Sequence, residues 1–357
     1  MKHIDPNAAR RLCEGAAIDR GLSEEHARWF AHGLVETSLM GIDTHGLRLL
    51  PLYLHELDEG RSNPKPTIRL LRQRGGAAVL DAGAALGTVA GIHAARLATA
   101  LAEQHAVGAV AVANSNHFGA ASIYGLEIAS RGMLGLITTS AAARMAPFNG
   151  KQPLFGTNPI CFAAPAGGRG GTFLFDMATS QISYSQVKHY RKNRMMLPSG
   201  WALDEAGDFT TDPGKVVSLA PLGGYKGQGL AMMVQILSCL LTGMPLDHQL
   251  EHLDTGRFDA GRRIGHFILA IDVSAFAEPD QFQSAVAGLM SLLRDTPARE
   301  GTHVLVAGDP QATARRRRLA QGIPASDEEA DFLLREARRL GTPELDNLII
   351  DKTEALQ

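Results

Sequence analysis

A chain of 357 residues with 45% hydrophobic and 20% charged residues has an ordinary globular composition, long enough for two domains and for a core that needs no disulfide or metal staple. Its net charge of −2 gives no electrostatic case for nucleic acid or a membrane surface. The three cysteines, Cys13, Cys161 and Cys239, are spaced too widely for a zinc or redox motif and read as buried apolar residues.

In chain order, residues 6–60 carry a helical pattern. Asn7 and Ser23 are the expected N-caps, and Glu24 and Glu25 place acids in a first turn. The stretch before them lacks an apolar signal core, so the expected compartment is the cytoplasm. Asp43-Thr44-His45-Gly46 opens a further helix with Leu47, Leu50, Tyr53 and Leu54 at helical spacing, and Asn63-Pro64-Lys65-Pro66 breaks it. From about residue 67 the pattern becomes α/β. Strands are expected at 77–80, 107–112, 134–138, 160–164, 173–176, 266–273 and 303–306, with helix expected directly after the charge at 176. An Ala-rich helix is expected over 89–104 and a long apolar one over 229–242. The apolar stretch 230–244 is interrupted by Gln235 and Ser238 and is too short to span a bilayer. Residues 167–171 read as a hairpin turn and 198–214 as a polar loop. The basic run Arg315–Arg318 lies in a helical pattern and reads as a solvated face. Ser326-Asp327-Glu328-Glu329 is a capping box opening the last helix. Helical ends around an α/β middle predict a discontinuous helical domain, 1–75 with 310–357, and an α/β cofactor-binding and catalytic region, 76–309.

Among chemistry-bearing patterns, the dinucleotide fingerprint G-x-G-x-x-G between a strand and a helix is absent. Gly223-Gly224-Tyr225-Lys226-Gly227-Gln228-Gly229 enters the apolar helix and reads either as an anion-binding turn or as a packing turn. It lacks the Lys-Ser/Thr ending of a P-loop. Asn114-Ser115-Asn116-His117-Phe118-Gly119 places a histidine just beyond a strand end, where α/β folds put active sites. His45 stands in a turn beside Asp43 and Thr44. Reduction of a 2-oxo acid needs an acid/base titrating near neutral pH and a cation for the carboxylate, and two histidines with nearby arginines meet that requirement. His45, His117 and Asp176 stand at no metal-ligand spacing, so no metal is expected, and the hydrolase motif G-x-S-x-G is absent.

Six segments occur together in order: Asp43-Thr44-His45-Gly46; Asn114 to Gly119; Phe155-Gly156-Thr157-Asn158-Pro159; Phe175-Asp176-Met177-Ala178-Thr179-Ser180; Lys226-Gly227-Gln228-Gly229-Leu230; and Gly265-His266-Phe267. From about residue 5 to 345 the chain resembles the type-2 malate/L-lactate dehydrogenase family. That resemblance implies a non-Rossmann three-layer α/β/α fold with a mixed sheet, a helical domain built from both chain termini, and a homodimer using NAD or NADP on a small 2-oxo or 2-hydroxy acid. It implies that His117 is the general acid/base and His45 the other active-site histidine. Thr157 and Arg262 match substrate-contacting positions. Asp176, Met177, Ala178, Thr179, Ser180, Lys226 and Gly227 match cofactor positions, and Gly308 and Asp309 match a loop near the adenosine. Where the family places a carboxylate-binding arginine four residues after the histidine, this chain has Leu49, with Arg48 one residue earlier and rotated by roughly 100° on a helix. Arg48 and Arg144 are therefore both candidates for the clamp. Tyr184 and Gln186 stand where relatives carry cations able to hold a 2′-phosphate, which favours NAD. The alternatives are an NADPH-dependent reductase of a cyclic imine carboxylate and a non-catalytic small-molecule-binding dimer.

Overall fold

The structure, a computed structural model, describes residues 2–167, 171–253, 255–341 and 348–350. Residues 168–170 of the expected hairpin turn, and 342–347 and 351–357 of the expected C-terminal helical segment, lie outside the described residues.

The chain opens with β1 (Lys2–Ile4), α1 (Pro6–Asp19), α2 (Glu24–Leu39) and α3 (Leu50–Asp58). The cap of α1 is Asp5, whose carboxylate accepts the Ala8 N–H, and not Asn7. Pro6 at the first helical position has no N–H to leave unpaired and its fixed φ starts the helix there, leaving Asn7 inside it. Ser23 caps α2 by accepting the His26 N–H. The segment after Asp43 is not an α-helix at first: two 3-10 turns, Asp43–His45 and Leu47–Leu49, precede α3.

The α/β part runs β2 (Arg69–Arg74), β3 (Ala77–Asp81), α4 (Gly87–His105), β4 (Val107–Ser115), α5 (Ser122–Ala129), β5 (Leu134–Thr139), β6 (Ile160–Pro165), β7 (Thr172–Met177), α6 (Tyr184–Lys192), β8 (Ala202–Leu203), β9 (Ser218–Leu219), α7 (Tyr225–Ser238), β10 (Ile264–Ile271) and α8 (Pro279–Arg294). Then come α9 (Asp309–Gln321), β11 (Ile323–Ala325) and α10 (Asp327–Leu340). Seven strands form one mixed sheet in the order β2-β3-β4-β10-β5-β6-β7. Within this sheet, among the described residues, only β3 and β4 pair in parallel, joined by α4 as the crossover. α4 and α5 pack on one face of the sheet, and α7 packs on the central strands from the other. This is the expected three-layer mixed-sheet architecture.

Some local expectations differ. β2 was not expected. It is an exposed edge strand, Arg-Leu-Leu-Arg-Gln-Arg, whose cations discourage further pairing, and it brings the sheet in before residue 75. No strand forms at 303–306: the Val306 N–H is taken by the Asp309 carboxylate at the start of α9, and Leu305 is exposed. Residues 178–183 separate β7 from α6, so no helix follows Asp176 directly. The apolar helix starts at Tyr225 and stops at Ser238, with a 3-10 turn at Leu240–Thr242 after it.

The two chain ends fold together. β1 pairs antiparallel with β11, and Arg20 bridges Glu336 at 2.7 Å. One apolar core runs from Ile4 and the N-terminal helices through the sheet to Leu348. All three cysteines are buried and free. Arg318 departs from the solvated-face reading of the basic run. It is buried, its guanidinium holds the Asp43 carboxylate, and it donates to the Ser38 carbonyl at 2.6 Å. No helix among the described residues is long and apolar enough to cross a membrane.

Candidate active site

A cavity of about 690 Å³ opens between the N-terminal helices and a smaller apolar cluster that includes Met145, Phe155, Val187 and Leu219. His45, His117, Arg48, Arg144, Thr157 and Arg262 all line it. The fold thus gathers both histidine candidates and all four substrate-binding candidates from distant parts of the chain.

His117 is placed by its backbone. Asn114, the penultimate residue of β4, stands at φ +52, and its side chain donates to Asp81 at 3.1 Å. The next residue but one, Asn116, is fully buried. Its amide donates to the carbonyls of Arg61, Ala84 and Ala85, and its oxygen accepts the Arg262 N–H at 2.9 Å. Gly87, at the start of α4, lets this loop approach: a Cβ there would lie 2.4 Å from the His117 carbonyl. The His117 Nδ1 is 2.6 Å from the Tyr53 hydroxyl, on α3. The His45 and His117 rings stack with centroids 5.7 Å apart, and Thr44 Oγ1 lies 2.8 Å from His45 Nδ1. Burial holds His45 down to about 4. His117 is also held well below the ordinary range, first by burial and then by His45, Arg262 and His266. Both rings therefore rest neutral near pH 7.

The three arginines differ in what they already hold. Arg262 is buried in the wall. Its guanidinium donates to Glu56 at 3.0 Å and to the carbonyls of Glu251, His252 and Leu253. Those contacts engage its N–H groups. Arg48 is largely exposed and pairs with Glu329 at 3.3 Å. Arg144 makes no ion pair among the described residues; its guanidinium lies 4.0 Å over the Tyr184 ring. Thr157 is fixed from behind, its carbonyl accepting the Thr179 N–H at 2.8 Å.

The cofactor candidates fall outside this cavity lining. Segment 179–181 pairs with 220–222, which sets Asp176–Ser180 beside Lys226 and Gly227, one layer behind Thr157. Gly227 serves packing: a Cβ there would meet Leu222 backbone at 2.4 Å and the Thr179 carbonyl at 2.8 Å. Lys226 is exposed. Asp176 accepts the Ser122 N–H at 2.8 Å, while burial pushes its carboxyl up. Gly308 and Asp309 stand apart, against β7, and Asp309 is held by Arg294 at 2.7 Å.

Several site residues were not singled out by sequence. Tyr53 read only as part of a helical apolar stripe. Lys188 and Lys192 line the cavity, and their spacing of four from Tyr184 on α6 was a usable signal. Asp247 carried none. It is fully buried and accepts from Gly156 N–H, Asn158 and Gln235, which braces the loop carrying Thr157. Burial also pushes this carboxyl up.

The malate/L-lactate dehydrogenase family model matches residues 4–334. The chain belongs to this family. It is 32% identical over 337 residues to malate dehydrogenase of Pyrococcus abyssi, covering 91% of each chain. To ureidoglycolate dehydrogenase (NAD(+)) of Escherichia coli K12 it is 32% identical over 336 residues, 94% of this chain and 95% of that one. The solved sulfolactate dehydrogenase of Methanocaldococcus jannaschii superposes with a TM-score of 0.89 at 30% identity, covering 96% of this chain and 99% of the other. Membership makes this chain an oxidoreductase of the hydroxy-acid dehydrogenase type.

Proposed function

We propose that this protein interconverts a small 2-oxo acid and its 2-hydroxy acid, with His117 as the general acid/base and Arg144 as the carboxylate clamp. The observation that supports it best is the joint placement of His117, His45 and an arginine without an acidic partner around one cavity. A volume of 690 Å³ lies in the range of cofactor sites and exceeds what a small 2-oxo acid alone would fill. The lining bears Arg144, Lys188 and Lys192 against the carboxylate of Glu251, a balance that suits phosphates and carboxylates. The residues present thus fit a nicotinamide dinucleotide, which supplies or accepts the hydride when bound. Asp176–Ser180, Lys226, Gly227, Gly308 and Asp309 are assigned to its outer parts. Tyr184 and Gln186 favour NAD over NADP.

In reduction, Arg144 orients the substrate carboxylate, and His117, having taken up a proton from solvent to become the imidazolium, delivers its Nε2 proton to the oxygen becoming the hydroxyl and returns to the neutral ring. In oxidation the same nitrogen removes that proton. His45, stacked beside it, sets the neutral ring's place. The assembly is proposed to be a cytoplasmic homodimer. Tyr225, Met232, Ile236 and Leu240 form an exposed apolar stripe along and just beyond α7, which suits burial against a second copy.

His117→Ala is expected to lower kcat by roughly 10²–10⁴-fold, with NADH affinity by fluorescence titration unchanged. Unchanged turnover sinks the assignment. A panel of 2-oxo acids and cyclic imines with NADH and NADPH identifies the substrate and cofactor.

A further inference from the structure

We infer that Tyr53 is a positioning residue that decides which nitrogen of His117 serves the cavity, and that it does so as a neutral phenol. The inference rests on the reading of His117 as the acid/base.

The contact is rigid and buried. Tyr53 is 1% exposed, and its hydroxyl is 2.6 Å from His117 Nδ1. Its ring lies over the imidazole, 6.0 Å between centroids at 29°, and meets Phe30 edge-on at 5.8 Å. Nδ1 is therefore occupied by protein, and Nε2 is left for the cavity that His117 lines.

The partner's chemistry matters as much as its place. A phenol both donates and accepts, whereas a carboxylate only accepts. When His117 is the imidazolium, or the tautomer with its lone pair on Nε2, the Nδ1–H donates to the phenol oxygen. When Nε2 carries the only proton, the phenol O–H donates to Nδ1. Every protonation state of the ring finds a bond without a buried negative charge beside it. Tyr53 stays protonated because burial raises its phenol. The carboxylate on the same helix, Glu56, is held by Arg262 at 3.0 Å and the Ser62 hydroxyl at 3.1 Å. The other groups facing the His117 ring are His45, Arg262 and His266, all of which oppose a further positive charge.

The same device recurs. His45 Nδ1 meets the Thr44 hydroxyl at 2.8 Å, and His266 Nδ1 meets the Thr139 hydroxyl at 2.7 Å. His45, His117 and His266 thus all take hydroxyl partners at Nδ1, a set suited to rings kept neutral at rest and used in both reaction directions.

Tyr53→Phe keeps the ring and removes the hydroxyl. The charged ring loses more than the neutral one, because bonds to ionised groups are stronger. His117 should then titrate at lower pH, and the acid limb of kcat/KM for oxidation should move down with it. The expected result is a kcat lower by roughly 10–100-fold, in the range of acid/base contributions. Substrate KM and NADH affinity should hold within about threefold, since the change leaves Arg144 and the cavity walls in place. Independently of turnover, ¹⁵N-histidine NMR of the protein without ligands should show a changed tautomer ratio for His117, its signals assigned by their loss in His117→Gln. Unmoved ¹⁵N shifts and an unmoved acid limb in folded Tyr53→Phe overturn the inference. Moved ¹⁵N shifts with turnover unaffected in both Tyr53→Phe and His117→Gln support the pairing and overturn the acid/base reading. If Tyr53→Phe does not fold, labelling with 3-fluorotyrosine, whose oxygen is a weaker acceptor, should move the acid limb the same way; no movement there overturns the inference.

Discussion

Adding one methyl group at Gly87 should displace His117 by pressing on its backbone alone. A Cβ at this position would sit 2.4 Å from the Asn116 carbonyl oxygen and from the carbonyl carbon and oxygen of His117, where ordinary contact begins at 3.4 Å. The deficit, 3.4 − 2.4 = 1.0 Å, falls on backbone atoms that cannot rotate away. Asn116 is tied to three carbonyls and to Arg262, so α4 and the loop must separate against bonds on both sides. Overpacking of this kind costs about 1–3 kcal/mol, offset by up to about 1 kcal/mol of helix propensity gained by alanine. The net effect on stability is small. The effect on rate is larger, because a misplacement near 1 Å costs about 10²-fold. Gly87→Ala should therefore fall in kcat by about two orders of magnitude while its Tm drops only a few degrees. Gly288→Ala on α8, with nothing within 4 Å of the added Cβ, is the matched control and should behave as wild type. The assay is steady-state oxidation of NADH beside thermal unfolding. A Gly87→Ala enzyme turning over within threefold of wild type would refute the reasoning.

Two further outcomes follow from the charges. Arg144→Met should raise KM for a 2-oxo acid by roughly 10–100-fold, the loss of a charged hydrogen-bonding partner, while Arg48→Met, at an exposed site paired with Glu329, should change it only a few-fold; the opposite ranking in steady-state kinetics moves the clamp to Arg48. Burial brings His266 down to about 3, so the native protein leaves it neutral where the unfolded chain, titrating near 6.5, takes a proton. Stability contributed there is present above 6.5 and is lost as pH falls toward 3, at about 1.4 kcal/mol per unit; denaturant midpoints across pH 7 to 4.5 should fall less steeply in His266→Gln than in wild type.

The layers of the fold were legible in the sequence because apolar periodicity carries them. β4 and α4 came out at their expected places, since a buried strand and a small-residue helix are each written in consecutive residues. β2 was not legible, since an edge strand that buries nothing has no apolar pattern. The strand expected at 303–306 failed for the converse reason: a short apolar run found its N–H partner in a carboxylate three residues on. At the site, His117 and His45 stand in polar tetrapeptides that break the local pattern, which is what made them visible. Tyr53 and Asp247 act through partners 64 and 89 residues away, Tyr53 on His117 and Asp247 on Asn158, and no local spacing encodes those contacts. Arg262 was visible as a charge, but its commitment to Glu56 and to three carbonyls exists only once the loop at 251–253 has folded back over it.

The grip of Arg318 on Asp43 also bears on when during synthesis the site becomes complete. The turn that carries His45 emerges from the ribosome early, but the residue that secures it lies on α9, and β1 waits for β11, made more than three hundred residues later. At roughly 5–20 residues per second, the first three helices spend tens of seconds without the segment that clamps them. Their buried face, Leu12, Phe30, Leu34 and Leu50 among others, is unprotected for that interval. The nascent chain therefore has a long window of exposed apolar surface. Until α9 has been made, the turn lacks the arginine that secures it, and the apolar face of these helices is the part of the growing chain a chaperone would meet.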